Sequence, residues 1–340
     1  MLRRIFLVLL VFLYAFTGIS QERFVFTQPK MGSPFTIILY ENDSTRASAI
    51  ASASFVLVDS LVNIFSDYID SSELNRLSAR AGTEGEEMQV SEPLLEIMLQ
   101  ARLAYESSMG MFDITLGPLT RLWRKARKDK VFPTNNEVKR RLALTGFKNI
   151  NINAERKTVS LTKKGMSLDL GGIAQGYIAG KVINYLEKNE IKAALVDVSG
   201  DIMTLGAPPG TEGWTIGINV PGEEGRLLPQ NISIRGQAVT TSGDLYQFME
   251  HKGKRYSHVL NPTTGYGITS QRNVTVISPD PTQADWLTKA CSLLPIKAAK
   301  VLVKRFGAEL LIVENPHGKL NAVTSTGFSN FWKKRDLEKD

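Results

Sequence analysis

Three groups of residues have the types and spacing to act on a charged ligand. The first is Ser167-Leu-Asp-Leu-Gly-Gly-Ile-Ala-Gln-Gly-Tyr177, an apolar run carrying Asp169, then Gly171 and Gly172, then the start of a helical pattern. A strand, a Gly-Gly turn and a helix in that order leave backbone N–H groups at the helix start, where anions are stabilised. The glycines let a ligand approach the backbone. Asp169, at the strand end, is able to accept hydrogen bonds from a sugar or base, or to help hold a cation. The plainer reading of the stretch is an ordinary strand-to-helix turn. The second group is Asp285, Thr288 and Lys289, at i, i+3 and i+4 of a helical stretch and so on one face. An aspartate with a hydroxyl one turn later is half a site for a hard cation. An aspartate with Lys at i+4 equally describes a helix ion pair. The third is His258, between strand-like residues and the Pro/Gly turn Asn261-Pro-Thr-Thr-Gly265. A lone histidine is more often structural than catalytic.

The elements that must position these groups alternate along the chain. Strands are expected at Phe35–Tyr40, Ala193–Val198, Trp214–Val220, Ile232–Ile234, Val274–Ile277 and Leu310–Val313, with a hairpin over Ile150–Val159 and a hairpin-like tail. Helices are expected over Ala47–Ile64, Glu92–Met109, Ala174–Glu190 and Ala284–Leu294, from apolar residues at helical spacing. Residues 21–34 read as a linker into the first strand. Arg121 to Lys130 holds six basic residues in ten, read as a solvated helix face, with a phosphate-facing patch as the lesser alternative. Tyr68 is an aromatic at a helix-to-loop junction, able to stack on a flat ring or merely to pack.

A chain of 340 residues allows one large domain or two moderate ones, and 43% apolar residues suffice for a sizeable core. The net charge of +7 would lose Arg3 and Arg4, and no acid, on removal of residues 1–20, leaving +5. That balance suits an anionic ligand and falls short of a nucleic-acid footprint. Arg3 and Arg4, the apolar run Ile5–Phe16 and the small residues Gly18 and Ser20 read as an export signal over 1–20. The run is short for a membrane span, which needs about 20 apolar residues; membrane association is expected only if the segment stays uncleaved or through a partner. No cysteine lies there to carry a lipid. The single Cys291 has no partner for an internal disulfide and reads as a small buried apolar residue. An exported, disulfide-free enzyme fits a bacterial periplasm or the outer face of the inner membrane.

Several separated motifs, in order, resemble the FAD:protein FMN transferase (ApbE-type) family over roughly residues 25–330. They are Met31-Gly, Phe65-Ser-Asp-Tyr68 with Ser72-Glu-Leu, Gly110-Met-Phe-Asp-Ile-Thr-Leu-Gly-Pro-Leu119 with Trp123, Leu168-Asp-Leu-Gly-Gly-Ile-Ala-Gln-Gly176, Gly200-Asp201, Thr241-Ser-Gly-Asp244, Tyr256-Ser-His258 with Pro262 and Thr264-Gly265, and Ala284-Asp285. The resemblance implies a mixed α/β (α+β) fold over 35–335, one domain with a mixed, largely antiparallel sheet or barrel core and flanking helices. It implies FAD as substrate, Mg²⁺, and an acceptor flavoprotein whose Thr or Ser hydroxyl receives FMN while AMP leaves. Met31 and Tyr68 would pack on the flavin, and Met111, Phe112 and Asp113 would line the nucleotide. Asp169 and Gln175 would contact FAD, and Val259 would lie beside it. Gly172 would lend its carbonyl to the metal, and Asp285 would ligate it directly. Such a transfer needs positioning and charge neutralisation more than covalent help, with His258 or Asp285 as base for the acceptor hydroxyl.

The chain departs from the family pattern at the metal. The usual ligating threonine, four residues after the aspartate, is Lys289, with Thr288 beside it as the substitute. Gln175 replaces the usual lysine, Gly180 an acid, Ser199 a common glycine and Asn261 a frequent aspartate. An ammonium at ~4 Å from Asp285, with an effective dielectric near 20, gains on the order of 4 kcal/mol before desolvation, enough to compete with a weakly held ion. Reduced metal affinity is therefore expected. Two alternatives stay open: an FAD-binding protein without transfer, and an Mg²⁺-dependent FAD pyrophosphatase giving FMN and AMP.

Overall fold

The computed structural model describes residues 21–83, 87–221, 223, 225–243, 247–270, 272–315 and 319–334. The expected export segment and Asp244 of the Thr241–Asp244 motif lie outside the described residues.

Sixteen strands are described. β1 (Glu22–Lys30) and β2 (Ser33–Glu41) form a hairpin; β3 (Met88–Gln89), β4 (Ile150–Asn153) and β5 (Thr158–Leu161) make a small side sheet. β6 (Ala194–Val198), β7 (Asp201–Leu205), β8 (Trp214–Ile216), β9 (Gln230–Ile234), β10 (Ala238–Ser242), β11 (Phe248–His251) and β12 (Lys254–Ser257) follow, then β13 (Arg272–Ser278), β14 (Glu309–Glu314), β15 (Asn321–Thr324) and β16 (Trp332–Lys334). The main sheet runs β1-β2-β6-β7-β10-β13-β14-β15, and every neighbouring pair is antiparallel. It is an open sheet, not the closed barrel that the resemblance allowed.

Residues 21–34 are not a linker. They hold β1 and the turn Met31-Gly32, whose φ values of 55° and 77° suit a two-residue hairpin. The signal is period two: Phe24 and Phe26 pack against the core while Val25 faces out.

Both faces of the main sheet are covered, and the alternation along each strand shows how. Phe35, Ile37 and Leu39 of β2 and Leu310 and Ile312 of β14 join one core with the helices. Ile38, Tyr40, Leu311 and Val313 join a second core with β8, β9 and the aromatic tail around Phe328. The helices are α1 (Ser44–Phe65), α2 (Glu73–Ala79), α3 (Glu92–Ser107), α4 (Gly117–Asp129), α5 (Asn135–Leu142), α6 (Ala174–Lys188), α7 (Pro281–Leu293) and α8 (Ile296–Arg305). Helix α1 starts where Asp43 accepts from the N–H groups of Thr45 and Arg46. It then buries Ala47, Ile50, Ala51, Phe55 and Val58 along one stripe. Cys291 is buried as expected, and burial pushes its thiol up to about 12.

Candidate active site

Helix α7 is started by Asp280, whose side chain accepts from the N–H groups of Thr282 and Gln283, with Pro281 at the first turn. Asp285 follows one turn later and is fully buried. Its Oδ2 accepts the backbone N–H of Gly176 at 3.0 Å, in the first turn of α6. A Cβ on Gly176 would stand 2.1 Å from the Pro281 carbonyl oxygen, so only glycine permits this approach. The anion at the start of α6 is thus the protein's own carboxylate. The segment before the Gly-Gly turn is not the expected strand: residues 167–170 carry no regular secondary structure and join no sheet, and Asp169 N–H donates to the Ile114 carbonyl at 2.8 Å.

Asp285 Oδ1 faces Lys289 Nζ at 2.9 Å, the helix ion pair that the spacing allowed. Thr288 is fully buried and donates its hydroxyl to the Asp285 carbonyl at 2.7 Å, so it does not face the carboxylate. Gly172 closes on the same lysine: a Cβ there would lie 3.2 Å from both Lys289 Cγ and the Phe112 ring. Buried Asp201, at the start of β7, joins this group. Burial pushes its carboxyl up to about 7, Lys289 pulls it down, and Asp285 pushes it up again. For Lys289, burial lowers the ammonium pKa, but Asp285 and Asp201 more than offset it, and the ammonium is held above its ordinary range. Asp201 was legible only as part of a motif. Its role depends on β7 lying beside β10, where Thr240 donates to it.

His258 follows β12. Its backbone N–H donates to the Gln247 carbonyl at 2.9 Å, and Nδ1 lies 3.2 Å from the same oxygen. That oxygen can only accept, so Nδ1 carries the proton and Nε2 keeps its lone pair. Burial, the nearby Lys289 and Arg127 hold the imidazole down to about 4, against a smaller upward pull from Gln247 and Asp169. The ring is therefore neutral near pH 7, and the charges it feels are those of Lys289, Arg127 and Asp169. Its segment is pinned from α4: Trp123 Nε1 donates to the Gly265 carbonyl at 2.8 Å.

Asp169 is committed on both oxygens. Oδ1 accepts from Gly171 N–H at 2.8 Å, and Oδ2 from Arg124 Nη2 at 3.1 Å. Arg124 also pairs with Asp67, and its guanidinium lies 4.1 Å from the centre of the exposed Tyr68 ring. Burial and Asp169 hold the Asp67 carboxyl above its ordinary range against the pull of Arg124. The basic run is thus not wholly a solvated face, since Arg124 points inward to two carboxylates. Arg127, half-buried in the same run, also turns in far enough to act on His258, and neither position stands out among the other basic residues in the sequence. Beside this network lies a cleft of about 610 Å³, lined by Asp67, Asn75, Ser78, Arg121 and Ser167 among others. The Asp285–Lys289 pair does not line it.

The remaining expected residues fall around these two centres. Phe112 is buried with its ring 6.3 Å from that of Trp286 on α7, and Met111 is half-buried next to it. Asp113 accepts the Thr115 N–H and hydroxyl at 2.8 and 2.7 Å, and burial holds its carboxyl high. Gln175 is half-buried in the first turn of α6, and Val259 is buried beside His258. Met31, in the β1–β2 turn, is partly buried and packs on the core.

Magnesium takes oxygen ligands in near-octahedral array. Here Asp285 Oδ1 faces an ammonium, Oδ2 takes an N–H, and the Thr288 hydroxyl is turned to its own helix. Among the described residues no three His, Cys, Asp or Glu side chains are disposed to hold a metal. As arranged, these residues do not fit the ion.

Comparison with known proteins follows the same residues. The ApbE family model matches residues 31–312. A Klebsiella pneumoniae FAD:protein FMN transferase is 32% identical over 285 residues, 83% of this chain and 86% of the relative. A Treponema pallidum protein of the same name is 31% identical over 274 residues, 76% of this chain and 75% of the relative. Among solved structures, the ApbE protein of Thermotoga maritima superposes with a TM-score of 0.81 at 27% identity, covering 92% of this chain and 100% of that one.

Proposed function

The chain belongs to the ApbE family, and we propose from that membership and from the site that it moves the FMN half of FAD onto a Thr or Ser hydroxyl of an acceptor flavoprotein and releases AMP. It is a flavin transferase, and FAD is its substrate. The observation that carries the finer reading is the contact of the Gly172 turn with Lys289 and Phe112. A bare backbone turn, a fixed ammonium and a neutral imidazole then share one electrostatic neighbourhood, which is what a diphosphate and an incoming hydroxyl require.

In this reaction the acceptor oxygen forms a bond to the phosphorus of the FMN half. The bond from that phosphorus to the bridging oxygen breaks, and AMP leaves with the bridging oxygen and its electron pair. The hydroxyl proton passes to His258 Nε2 and on to solvent. Asp285 is the poorer base of the two candidates, because both its oxygens are engaged. Phe112 and Met111 offer apolar walls to the nucleotide, and Tyr68 an exposed ring to the flavin. The magnesium ion implied by the resemblance has no step here, for want of ligands.

We also place the acceptor outside the cytoplasm, in the periplasm or on the outer face of the inner membrane. What supports this is the sequence 1–20, with Arg3, Arg4 and the apolar run that follows.

The test is incubation of the protein with FAD and candidate acceptor domains, read by flavin fluorescence in denaturing gels and by AMP release. Fluorescent acceptor with stoichiometric AMP is expected. Free FMN and AMP without labelled protein would make it a pyrophosphatase, and intact bound FAD a carrier.

A further inference from the structure

We propose that the Lys289 ammonium takes the place of a divalent cation against the diphosphate of FAD, so that this chain binds and turns over FAD without metal. The inference rests on the FAD reading above and goes beyond it by naming the source of positive charge. Pyrophosphate cleavage requires neutralisation of the oxygens around the reacting phosphorus and of the departing AMP. A lysine ammonium is an established point-charge partner for phosphate. Lys289 is built for that task by its surroundings. Asp285 fixes the Nζ position at 2.9 Å, and Gly176 and the buried α6–α7 contact fix Asp285 in turn. The aliphatic stem of Lys289 runs against Gly172, where an added Cβ would lie 3.2 Å from its Cγ.

The ammonium still has donors to give. It carries three N–H bonds, and among the described residues its ion pair is with Asp285 alone. Its side chain keeps 20% of its surface exposed, whereas Asp285 keeps none, so the open side of the pair is the cationic one. The same arrangement is hostile to a metal. A divalent ion at Asp285 Oδ1 would have to displace Lys289 and bring two like charges together beside a third group, His258, that is held neutral. The bonds made and broken are those given for the transfer; Lys289 changes no covalent bond and donates hydrogen bonds only.

The test compares wild type with Lys289→Thr and Lys289→Met on the full chain. FAD affinity is measured in EDTA and in Mg²⁺, Mn²⁺ binding by electron paramagnetic resonance, and AMP release alongside. Wild type should bind FAD equally in EDTA and in Mg²⁺ and show no saturable Mn²⁺ signal in the FAD complex. Lys289→Met, which keeps the stem but not the charge, should bind FAD roughly 10- to 100-fold more weakly in EDTA. Lys289→Thr should acquire Mn²⁺ binding and recover FAD affinity only with Mg²⁺. Circular dichroism of each variant separates these effects from misfolding. Wild type that binds FAD only with Mg²⁺, or Lys289→Met with unchanged FAD affinity, overturns the proposal while leaving the transferase reading intact. Failure of every variant to bind FAD under either condition overturns both.

Discussion

Gly176 in the first turn of α6 donates its backbone N–H to Asp285 Oδ2 of α7 at 3.0 Å, across 109 residues of sequence. The bond joins the Gly-Gly segment to the helix that carries Lys289, and it sets the height of one helix start against the other. Asp285 is thereby a positioning group: it orients Lys289 and anchors α6.

Gly176→Ala should be costly for a methyl group. The added Cβ meets the Pro281 carbonyl at 2.1 Å and Asp285 Cβ at 2.9 Å, both on a packed helix. Separation of α6 from α7 is expected to cost about 1–3 kcal/mol of stability and to lengthen the Asp285 bond. Chemical denaturation and FAD titration check it; an unchanged midpoint with unchanged FAD affinity would show that the contact yields freely.

His258→Gln should leave FAD affinity unchanged and slow transfer about 10²- to 10⁴-fold, the usual loss on removing a general base. In wild type the imidazole titrates near 4 and not near 6.5. The acid limb of the transfer profile caused by this residue should therefore lie near pH 4, with little change between 5.5 and 7. A limb at 6.5 that disappears in His258→Gln would contradict an imidazole held down by desolvation and by Lys289.

Asp201 and His258 should bend the pH dependence of stability in opposite directions. The Asp201 carboxyl rises from 3.8 to about 7 on folding, so between those values the folded chain binds more protons. Its contribution is fully present below 3.8 and is lost as pH rises through 7. His258 falls from 6.5 to about 4, so its contribution is present above 6.5 and is lost as pH falls toward 4. Asp201→Asn should remove the decline on the alkaline side, a change of a few kcal/mol between pH 5 and 8 at most. Denaturant midpoints across that range decide the matter: parallel curves for the two proteins would mean Asp201 ionises normally.

Arg124→Met should destabilise the fold by roughly 3 kcal/mol, because it strands two largely buried carboxylates, Asp67 and Asp169, beside each other. The loss should grow as pH rises, since burial already pushes the Asp67 carboxyl up and the guanidinium that pulls it down is gone. Asp67→Asn combined with Arg124→Met should restore part of it. Equal losses at pH 5 and pH 8 would show that the pair is not the cause.

The chain by itself determined a good deal. Short apolar runs such as Phe35–Tyr40 and Leu310–Val313, the latter buried on both faces of the sheet, and helical runs such as Ala47–Ile64, fixed the main strands and helices, because burial leaves an apolar imprint of the right length and spacing. The ordered motifs fixed the family, and Asp285 with Lys289 four residues on already implied an ion pair. Other features had no local signature. Residues 22–30 pass for a linker until β2 is there to pair with, and Trp214–Val220 carries only a three-residue strand. Arg124 looks like its basic neighbours until α4 turns it toward Asp67 and Asp169. Asp201 becomes half-ionised near neutrality only because β7, β10 and α7 close around it and withdraw the water that would otherwise hold its charge. Periodicity is written in sequence by nearest neighbours, whereas desolvation and pairing between residues far apart in the chain exist only once the sheet and helices have assembled.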